Sequence, residues 1–423
     1  MAALLLTHAA QLLTLAGPDR ARRGTEMLEL GLVRDGALLL SQGRVLRAGP
    51  TEEVARHLPA GLDLIEEHDC RGLLLTPGLC DSHTHLLFAA PRLDDYERRL
   101  AGASYAEIAA AGGGIRSSLA AVRAAGVADL TAQAGHWMRR ARAHGSTTIE
   151  VKSGYGLTLE AEANSLRAAA AAAAACGLDA PRTFLGAHIV PPEFARDRAA
   201  YLHLLIETIL PAVIALGPAA PEFADAFCDP AGFDLAETRA VLMAARSRHL
   251  ALKLHAEQFA RLGGIALGIE LGAVSVDHCD AANEEDARLL ARSATVATLI
   301  PGANWFLGQP FPPARALLAA GAAVALATDF NPGTCPILSL PLVMAIACNQ
   351  MRLTAPEAWT AATINGAAAV ARAAVCGSLT PGKRADVAVF AVDDFRAVPY
   401  FAGQNLCRAV VQKGEWIESH GLD

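Results

Sequence analysis

The sequence lacks the closely spaced cysteine pairs of a disulfide framework or of a cysteine-based zinc site. Its nine cysteines are odd in number and widely separated, and no two of them form a CxxC motif. Free thiols of this kind are typical of proteins kept in a reducing compartment. The apolar N-terminus also lacks the basic region of a signal peptide. We therefore expect a cytoplasmic protein.

Charged residues are few, at 19% of the 423 residues, whereas hydrophobic residues make up 53%. This composition excludes a disordered chain and can supply a large core. No run reaches the ~18 consecutive apolar residues of a membrane-spanning helix. The formal net charge of −7 argues against a protein that coats nucleic acid. We expect neither membrane nor nucleic acid as a partner. A small anionic substrate is compatible with the negative net charge, because one arginine in a pocket can hold a carboxylate.

The residue pattern divides the chain into three predicted segments. Residues 1–70 and 376–423 contain short apolar runs joined by polar turns, which predicts strands at both ends. Residues 71–375 alternate short apolar strands with alanine-rich helical stretches, which is typical of βαβ units and a parallel sheet. The α/β class and the count of eight strands predict a (β/α)8 barrel. The candidate strands cover residues 73–80, 147–151, 183–186, 224–227, 251–254, 273–276, 294–299 and 323–327.

Two local signals give sharper predictions. Residues 37–40 and 44–48 flank the turn Ser-Gln-Gly at 41–43, which predicts a hairpin. Residues 158–176 contain a run of alanine, the best helix former, and are followed by Gly177. They predict an outer barrel helix that ends at this glycine.

Histidines concentrate at the predicted strand ends. His83 and His85 are two residues apart after the first strand, so both imidazoles face the same side of an extended segment. The C-terminal ends of barrel strands share one face, where the chemistry of such barrels takes place. Nitrogen and carboxylate ligands suit a catalytic metal ion. The residues that together predict a metal site there are His83, His85, His188, His255, His278 and Asp329.

A metal site of this composition favours hydrolysis. A bound divalent or trivalent ion lowers the pKa of a water molecule and makes it a nucleophile. Asp329 is predicted to take the proton of that water and pass it to a leaving nitrogen. His278, one strand away from His255, is predicted to polarise a carbonyl oxygen.

Several sequence strings resemble the amidohydrolase superfamily and, within it, the imidazolonepropionase family. The string PGLCDSHTH at 77–85 contains an HxH motif that many amidohydrolases share. The resemblance extends from about residue 1 to 420 and implies a barrel with a small β-sandwich composed of both termini, 1–70 and 376–423. The other strings are AGGGI at 111–115, LHAEQ at 254–258 and, more specific, VKSGYGL at 151–157, FLGAH at 184–188 and TDFNPGT at 328–334.

The resemblance implies a role for each matching position. The metal ligands, for a single zinc or iron ion, match His83, His85, His255 and Asp329. A second ion would need a lysine after the fourth strand, where this chain has Phe-Cys-Asp at 227–229. The resemblance also implies a homodimer. The positions that contact substrate or product match Arg92, Tyr155, His188, Gln258, Asn331, Gly333 and Thr334.

Three of these residues also carry a chemical argument of their own. Arg92 can bind a substrate carboxylate through two parallel hydrogen bonds. Tyr155 lies between two glycines, which let the backbone approach a ligand closely, and its hydroxyl can donate a hydrogen bond. Gln258 is neutral and cannot act as a base, which leaves that role to Asp329.

Lys152 and Glu257 are charged residues near the predicted site that we expect to lie outside it. Lys152 follows the second strand and is interpreted as a structural ion-pair partner rather than a ligand. Glu257 is the other candidate for the base, yet its carboxylate is expected to point away from the site.

The implied reaction is hydrolysis of the ring amide C–N bond of 4-imidazolone-5-propanoate to N-formimidoyl-L-glutamate, a step of histidine degradation. Two alternatives stay open. One is another cyclic amidohydrolase or a nucleobase deaminase on the same barrel, although a deaminase usually has a glutamate at the position of Gln258. The other is a binding barrel whose metal ion is structural, for which a closed four-ligand set would be expected.

Overall fold

The computed structural model describes residues 2–59, 62–103, 107–108 and 111–419. Residue 1 and residues 420–423, which belong to the predicted terminal segments, lie outside the described residues. The strands, numbered in chain order, are β1 (Ala2–Leu13), β2 (Leu32–Ser41), β3 (Arg44–Pro50), β4 (Asp63–Asp69), β5 (Leu74–Pro77), β6 (Leu79–Asp81), β7 (Ser146–Ile149), β8 (Val151–Lys152), β9 (Arg182–Ala187), β10 (Phe223–Cys228), β11 (Ala251–Ala256), β12 (Ser275–His278), β13 (Val296–Leu299), β14 (Val324–Leu326), β15 (Val387–Phe390), β16 (Cys407–Gln412) and β17 (Glu415–Glu418).

Helices follow most barrel strands. No helix among the described residues has both the length and the apolar character needed to cross a membrane. The short 3-10 helices are Gly24–Leu28, Pro192–Phe194 and Gly217–Ala219, and a π-helical turn covers Leu205–Ile209. The α-helices are α1 (Thr51–Arg56), α2 (Leu93–Leu100), α3 (Ile115–Ala124), α4 (Val127–Ala143), α5 (Leu159–Cys176), α6 (Arg198–Leu204), α7 (Leu210–Ile214), α8 (Leu235–Arg246), α9 (Gly264–Leu271), α10 (Glu284–Ala291), α11 (Pro301–Leu307), α12 (Ala314–Ala320), α13 (Leu340–Gln350), α14 (Ala355–Ala362), α15 (Ile364–Ala369) and α16 (Ala397–Tyr400).

Two groups of parallel strands form the barrel. A seven-stranded sheet has the order β14-β13-β12-β11-β10-β9-β8, and β6 pairs with β7 in a two-stranded sheet. Every strand pair within these two sheets is parallel. Helices connect successive strands, so the predicted (β/α)8 barrel is confirmed.

Backbone hydrogen bonds close the barrel between its first and last strands. The amide of Asp329, just after β14, donates to the carbonyl of His83 at 2.9 Å. The amide of His85 donates to the carbonyl of Phe330 at 3.0 Å, and Thr84 forms a parallel bridge with Phe330. This seam places the segment after β6 directly beside the segment after β14.

All eight predicted barrel strands occur, but the first two are each divided. The first predicted strand is divided between two sheets. Its first part, β5, pairs with β15, and its second part, β6, pairs with β7. The chain turns at Gly78, where a Cβ would overlap the side chain of Thr147. The second predicted strand divides at Glu150, because β7 pairs with β6 and β8 pairs with β9.

The two ends of the chain share one mixed sheet of eight strands. Its order is β17-β16-β15-β5-β1-β2-β3, with β4 paired to β1. The predicted hairpin is confirmed, because β2 and β3 pair antiparallel around the turn at 42–43. Strand β5, from the predicted middle segment, also belongs to this sheet. The division at 1–70, 71–375 and 376–423 stays a prediction.

Helix α5 begins and ends as the sequence predicts. The side chain of Thr158 accepts a hydrogen bond from the amide of Ala161 at 3.3 Å, which satisfies one free N–H of the first turn. Gly177 ends the helix with φ at 69°, a left-handed conformation that costs glycine little. The helix packs against α4 on the outside of the barrel.

We predict that Gly366→Ala destabilises the fold, although alanine normally stabilises a helix by about 0.5–1 kcal/mol over glycine. Gly366 lies in α15, and a Cβ there would collide with the carbonyl oxygen of Cys80 in β6. We expect the free energy of unfolding to fall by about 1–3 kcal/mol, as for other overpacked sites. Urea unfolding of the variant beside the unmodified chain measures this change.

Gly126→Ala is the matched control for this prediction. Gly126 has φ at −73° and precedes α4, and the nearest atom to an added Cβ is an oxygen of Asp129 at 3.5 Å. Gly126 is the N-cap of this helix, so its substitution should lower the stability by less than about 1 kcal/mol, the difference between glycine and alanine as cap residues. A Gly366→Ala variant as stable as this control would contradict the proposed contact with β6.

Candidate active site

The predicted metal-binding residues converge at the C-terminal ends of the barrel strands. His83 and His85 follow β6, His255 lies in β11, and Asp329 follows β14. All four side chains are buried, with exposed fractions of 3% or less. The parallel strands and the seam between β6 and β14 bring these residues together although they are far apart in the sequence.

The four side chains meet through one ligating atom each. The Nε2 atom of His85 lies 3.2 Å from Nε2 of His83 and 3.3 Å from Nε2 of His255. Oδ1 of Asp329 lies 3.4 Å from Nε2 of His83 and 3.3 Å from Nε2 of His85. A tetrahedral ion with ligand distances of about 2.0–2.1 Å separates its ligands by about 3.3–3.4 Å. These four separations fit a shared metal ion, and ligating atoms lie within 4.8 Å of one another in two overlapping groups, His83, His85 and Asp329, and His83, His255 and His278.

The hydrogen bonding of the histidines supports the same conclusion. Nδ1 of His83 lies 2.6 Å from Oδ2 of Asp277, and Nδ1 of His255 lies 2.9 Å from Oδ2 of Asp225. A ring nitrogen that donates to a carboxylate leaves the other nitrogen of a neutral imidazole as an acceptor. The Nε2 lone pair of His83 thus faces the carboxylate of Asp329, an arrangement that suits a bound cation. Such carboxylate–histidine pairs commonly orient metal ligands.

Burial keeps the imidazoles of His83 and His85 in the form that binds metal. It lowers the pKa of both side chains well below the usual range, and the ammonium group of Lys152 adds to this effect. Burial alone would raise the pKa of Asp329, but the imidazole of His83 close to its carboxylate holds that pKa below its usual value. Neutral imidazoles and an ionised carboxylate are the ligand forms of these side chains.

His278 and His188 flank the ligand cluster. The ring of His278 lies 5.4 Å from that of His83 and 5.3 Å from that of His255, and burial lowers its pKa to about 4. The ring of His188 stacks on that of His85 at 5.2 Å, and its Nδ1 lies 3.0 Å from the carbonyl of Gly154. Both histidines therefore border the space in front of the ligands.

Arg92 and Tyr155 lie together beside His85 and His188. The guanidinium carbon of Arg92 is 5.6 Å from the centre of the Tyr155 ring, which is itself 5.8 Å from the ring of His85 and 5.3 Å from that of His188. Nε of Arg92 donates to Oγ of Ser118 at 2.9 Å. A Cβ at Gly333 would collide with the guanidinium of Arg92. Glycine in the loop after β14 therefore leaves room for this position of the arginine.

The loop after β14 is held by the side chain of Asn331. Its Nδ2 donates to Oδ2 of Asp329 at 3.1 Å and to Oγ1 of Thr334 at 2.8 Å, and its Oδ1 accepts from the amides of Gly333 and Thr334. Asn331 thereby connects the ligand carboxylate to the loop that borders Arg92. Gln258, also predicted to contact substrate, is half-buried just after β11.

The two charged residues expected outside the site do lie outside it, and Glu257 does so because its left-handed backbone, with φ at 55°, turns it away from the face of His255. The carboxylate of Glu257 accepts hydrogen bonds from the amides of Leu262 at 2.7 Å and Gly263 at 2.9 Å, so it holds the turn before α9. Nζ of Lys152 lies 2.7 Å from Glu150 and 2.8 Å from Asp225, and all three side chains are fully buried. Lys152 is therefore an ion-pair partner beneath the ligands.

Sequence reasoning missed the residues behind the ligands. Asp225 and Lys253 stand inside the apolar strands β10 and β11, and Asp277 precedes His278 in β12. Nζ of Lys253 lies 3.3 Å from Oδ2 of Asp277 and 2.6 Å from Oγ of Ser275. A charged residue in the middle of an apolar strand is the signal that could have revealed them, because such a residue needs a buried partner.

Comparison with known proteins identifies the family. The sequence model of the amidohydrolase family matches residues 74–417 of this chain. An imidazolonepropionase of Chloroflexus aggregans is 44% identical over 420 residues, which cover 97% of both chains. One of Parabacteroides distasonis is 41% identical, and one of Geobacillus thermodenitrificans is 40% identical over 100% of this chain and 99% of its own.

Solved structures show the same fold at low identity. Guanine deaminase of E. coli superposes with a TM-score of 0.76 at 15% identity and covers 99% of each chain. A zinc-bound adenosine deaminase of Xanthomonas campestris gives a TM-score of 0.70 at 18% identity, covering 98% of this chain and 92% of its own. The chain belongs to the amidohydrolase family and, within it, to the imidazolonepropionase family.

Proposed function

We propose that this chain hydrolyses the ring amide C–N bond of 4-imidazolone-5-propanoate and releases N-formimidoyl-L-glutamate. The observation that carries the proposal is the convergence of four ligating atoms, spaced for one metal ion, in a chain that matches imidazolonepropionases over nearly its full length. An anion-binding arginine lies close to these atoms, which suits the propanoate group of that substrate.

We further propose that one zinc or iron ion binds to His83, His85, His255 and Asp329. When bound, such an ion lowers the pKa of a water molecule toward neutrality and supplies a hydroxide-like nucleophile. Imidazole and carboxylate ligands suit both metals. No lysine follows β10, where a bridging group for a second ion would be expected, which supports a single ion.

Asp329 is the proposed proton carrier of the reaction. Its Oδ1 is close to the ligating atoms of His83 and His85, while its Oδ2 accepts a hydrogen bond from Asn331. A carboxylate in this position can accept a proton from the attacking water and deliver it to the ring nitrogen that leaves. The transfer opens the amide bond and regenerates the carboxylate.

His278 and His188 are proposed to stabilise the charge that develops on the substrate. His278 is neutral at pH 7, because burial lowers its pKa to about 4. A neutral imidazole can donate one N–H to a carbonyl oxygen as negative charge accumulates there. His188 stacks beside His85 and is placed to contact the flat ring of the substrate.

The remaining predicted contacts are proposed to select the substrate. Arg92 would bind the propanoate carboxylate and Tyr155 would add a hydroxyl donor. Gln258 would hydrogen-bond the ring without acting as a base. The loop residues Gly333 and Thr334, which Asn331 holds in place, would border the bound substrate or product.

We also propose a homodimer that acts in the cytoplasm, with a composite terminal domain from residues 1–70 and 376–423. The thiols support a reducing environment, since all nine cysteines are free. Both ends of the chain contribute strands to one sheet, which supports the composite domain.

The likeness to deaminases is a likeness of fold, and the chain has Gln258 where a deaminase would use an acidic group.

Purified protein incubated with 4-imidazolone-5-propanoate should consume the substrate, seen as loss of its ultraviolet absorbance. Pretreatment with a chelator should abolish the loss because the ion supplies the nucleophile, and zinc or ferrous ion should restore it. Guanine, adenine and cytosine serve as controls and should release no ammonia. Turnover of a nucleobase without turnover of the imidazolone would overturn the proposed substrate.

Asp329→Asn should lower turnover by at least about 100-fold, because the amide cannot carry the proton. The variant should stay folded by circular dichroism, and its metal content should be measured alongside. Asp393→Asn is the matched control, since Asp393 is exposed near the C-terminus of the chain and should have full activity. Near-normal turnover by Asp329→Asn would refute the role assigned to this carboxylate.

Arg92→Gln should raise KM by roughly 10-fold to 100-fold, because a charge-assisted carboxylate contact contributes about 1.5–3 kcal/mol. The value of kcat should change less, since Arg92 does not contact the amide. Arg98→Gln removes the same charge from the exposed face of α2 and should leave KM unchanged. Equal effects of the two substitutions would show that Arg92 acts only through the general charge of the protein surface.

A further inference from the structure

Lys152 links the two carboxylates that orient metal-binding histidines. Its Nζ lies 2.8 Å from Oδ2 of Asp225 and 3.8 Å from Oδ2 of Asp277. Asp225 contacts Nδ1 of His255, and Asp277 contacts Nδ1 of His83. The ammonium group of Lys152 thus lies close to the two carboxylates that contact His255 and His83. It does not contact either histidine itself.

The surroundings of Lys152 keep it charged and fixed. Its side chain is fully buried, and Nζ also lies 2.7 Å from Oε1 of Glu150. Burial would lower its pKa, but the charges of Asp225, Glu150 and Asp277 raise it above the usual lysine value. The second lysine, Lys253, contacts only Asp277 among these carboxylates. Lys152 is therefore the centre of this buried charge network.

The charged side chains of the network and Asp329 are predominantly acidic. The two lysines oppose four carboxylates, which in their ionised forms exceed the lysines by two negative charges. A divalent ion neutralises this excess, whereas a trivalent ion would leave one positive charge buried. Uncompensated charge in a protein interior is strongly unfavourable. The members of the set are Glu150, Lys152, Asp225, Lys253, Asp277 and Asp329.

We propose that Lys152 is a positioning residue that sets the charge of the metal centre and thereby favours a divalent ion over a trivalent one. It acts through Asp225 and Asp277 and touches neither substrate nor ion. The inference rests on the proposed metal centre but is independent of the proposed substrate.

Removing the ammonium group should increase the preference for a trivalent ion. A neighbouring positive charge repels Fe3+ more than Fe2+, so its loss stabilises the ferric state. We expect Lys152→Met, which keeps the length of the side chain, to raise the ratio of Fe3+ to Fe2+ affinities by at least about 10-fold. For a one-electron couple this corresponds to a fall of about 59 mV in the midpoint potential.

The experiment is a redox titration of the full chain reconstituted with iron in the absence of oxygen. The Fe3+/Fe2+ midpoint potential is measured for the unmodified protein and for Lys152→Met, with circular dichroism to verify that each is folded. A residue with a merely structural role would change stability but not the potential. An unchanged or higher potential in folded Lys152→Met would overturn the inference.

Two further variants separate charge from shape and remain informative if Lys152→Met does not fold. Glu150→Gln removes a negative charge from the same network and should raise the potential. The double variant Lys152→Met/Glu150→Gln restores the net charge and should return the potential close to the original value. A potential that does not rise in Glu150→Gln would also overturn the inference.

The outcomes distinguish this inference from the proposed function. Failure of the unmodified protein to bind iron or zinc would overturn the metal centre and the inference with it. A protein that binds iron and shows the expected shifts but does not turn over 4-imidazolone-5-propanoate would overturn the proposed substrate alone. Activity is therefore not needed to judge the role of Lys152.

Discussion

The parallel seam that closes the barrel is the constraint on which the candidate site depends. The amide of Asp329 donates to the carbonyl of His83, and the amide of His85 donates to that of Phe330. These bonds fix the register between the first and last barrel strands, and three of the four predicted ligands, His83, His85 and Asp329, form the seam. A slip of this register would separate the carboxylate from the HxH pair. Closure of the fold and assembly of the site are therefore one event.

The barrel core beneath the ligands contains several buried charges, whereas the core of such a barrel usually consists of apolar side chains. Isolated charges there would cost several kcal/mol each, and pairing them only partly recovers that cost. The lysines Lys152 and Lys253 stabilise Asp277 and Asp225, of which Asp277 hydrogen-bonds Nδ1 of His83 and Asp225 lies 2.9 Å from Nδ1 of His255. Because an excess of negative charge remains, a bound cation would stabilise the folded state as well as support catalysis. Metal binding and folding free energy are coupled in such a site.

Much of this arrangement could be predicted from the sequence, because strand alternation and strand ends are local properties. The eight strands followed from apolar runs, and the convergence of His83, His255 and Asp329 followed from the rule that strand ends share one face. The partners Asp225 and Lys253 could not be predicted in the same way. A single charge inside an apolar strand reveals that a partner exists, but which residue it meets depends on the register between neighbouring strands. The division of β5 from β6 likewise depends on a contact with the distant strand β15.

The two halves of the candidate site differ in how firmly the fold holds them. His83, His85, His255 and Asp329 are buried at the C-terminal ends of barrel strands, whereas Arg92 precedes α2, a helix with no buried residue. Contacts of this helix include the Arg99 guanidinium, 4.2 Å from the ring centre of Phe306, and the stacking of Tyr96 on the same ring. The carboxylate of Asp95 also accepts a hydrogen bond from the amide of Gly114 at 2.7 Å. Elements with few buried contacts open at low free-energy cost. The proposed metal centre would thus be rigid and the proposed anion anchor loosely packed, which suits a reaction in which the ion must be placed within fractions of an ångström, while the charged tail of the substrate must enter and leave.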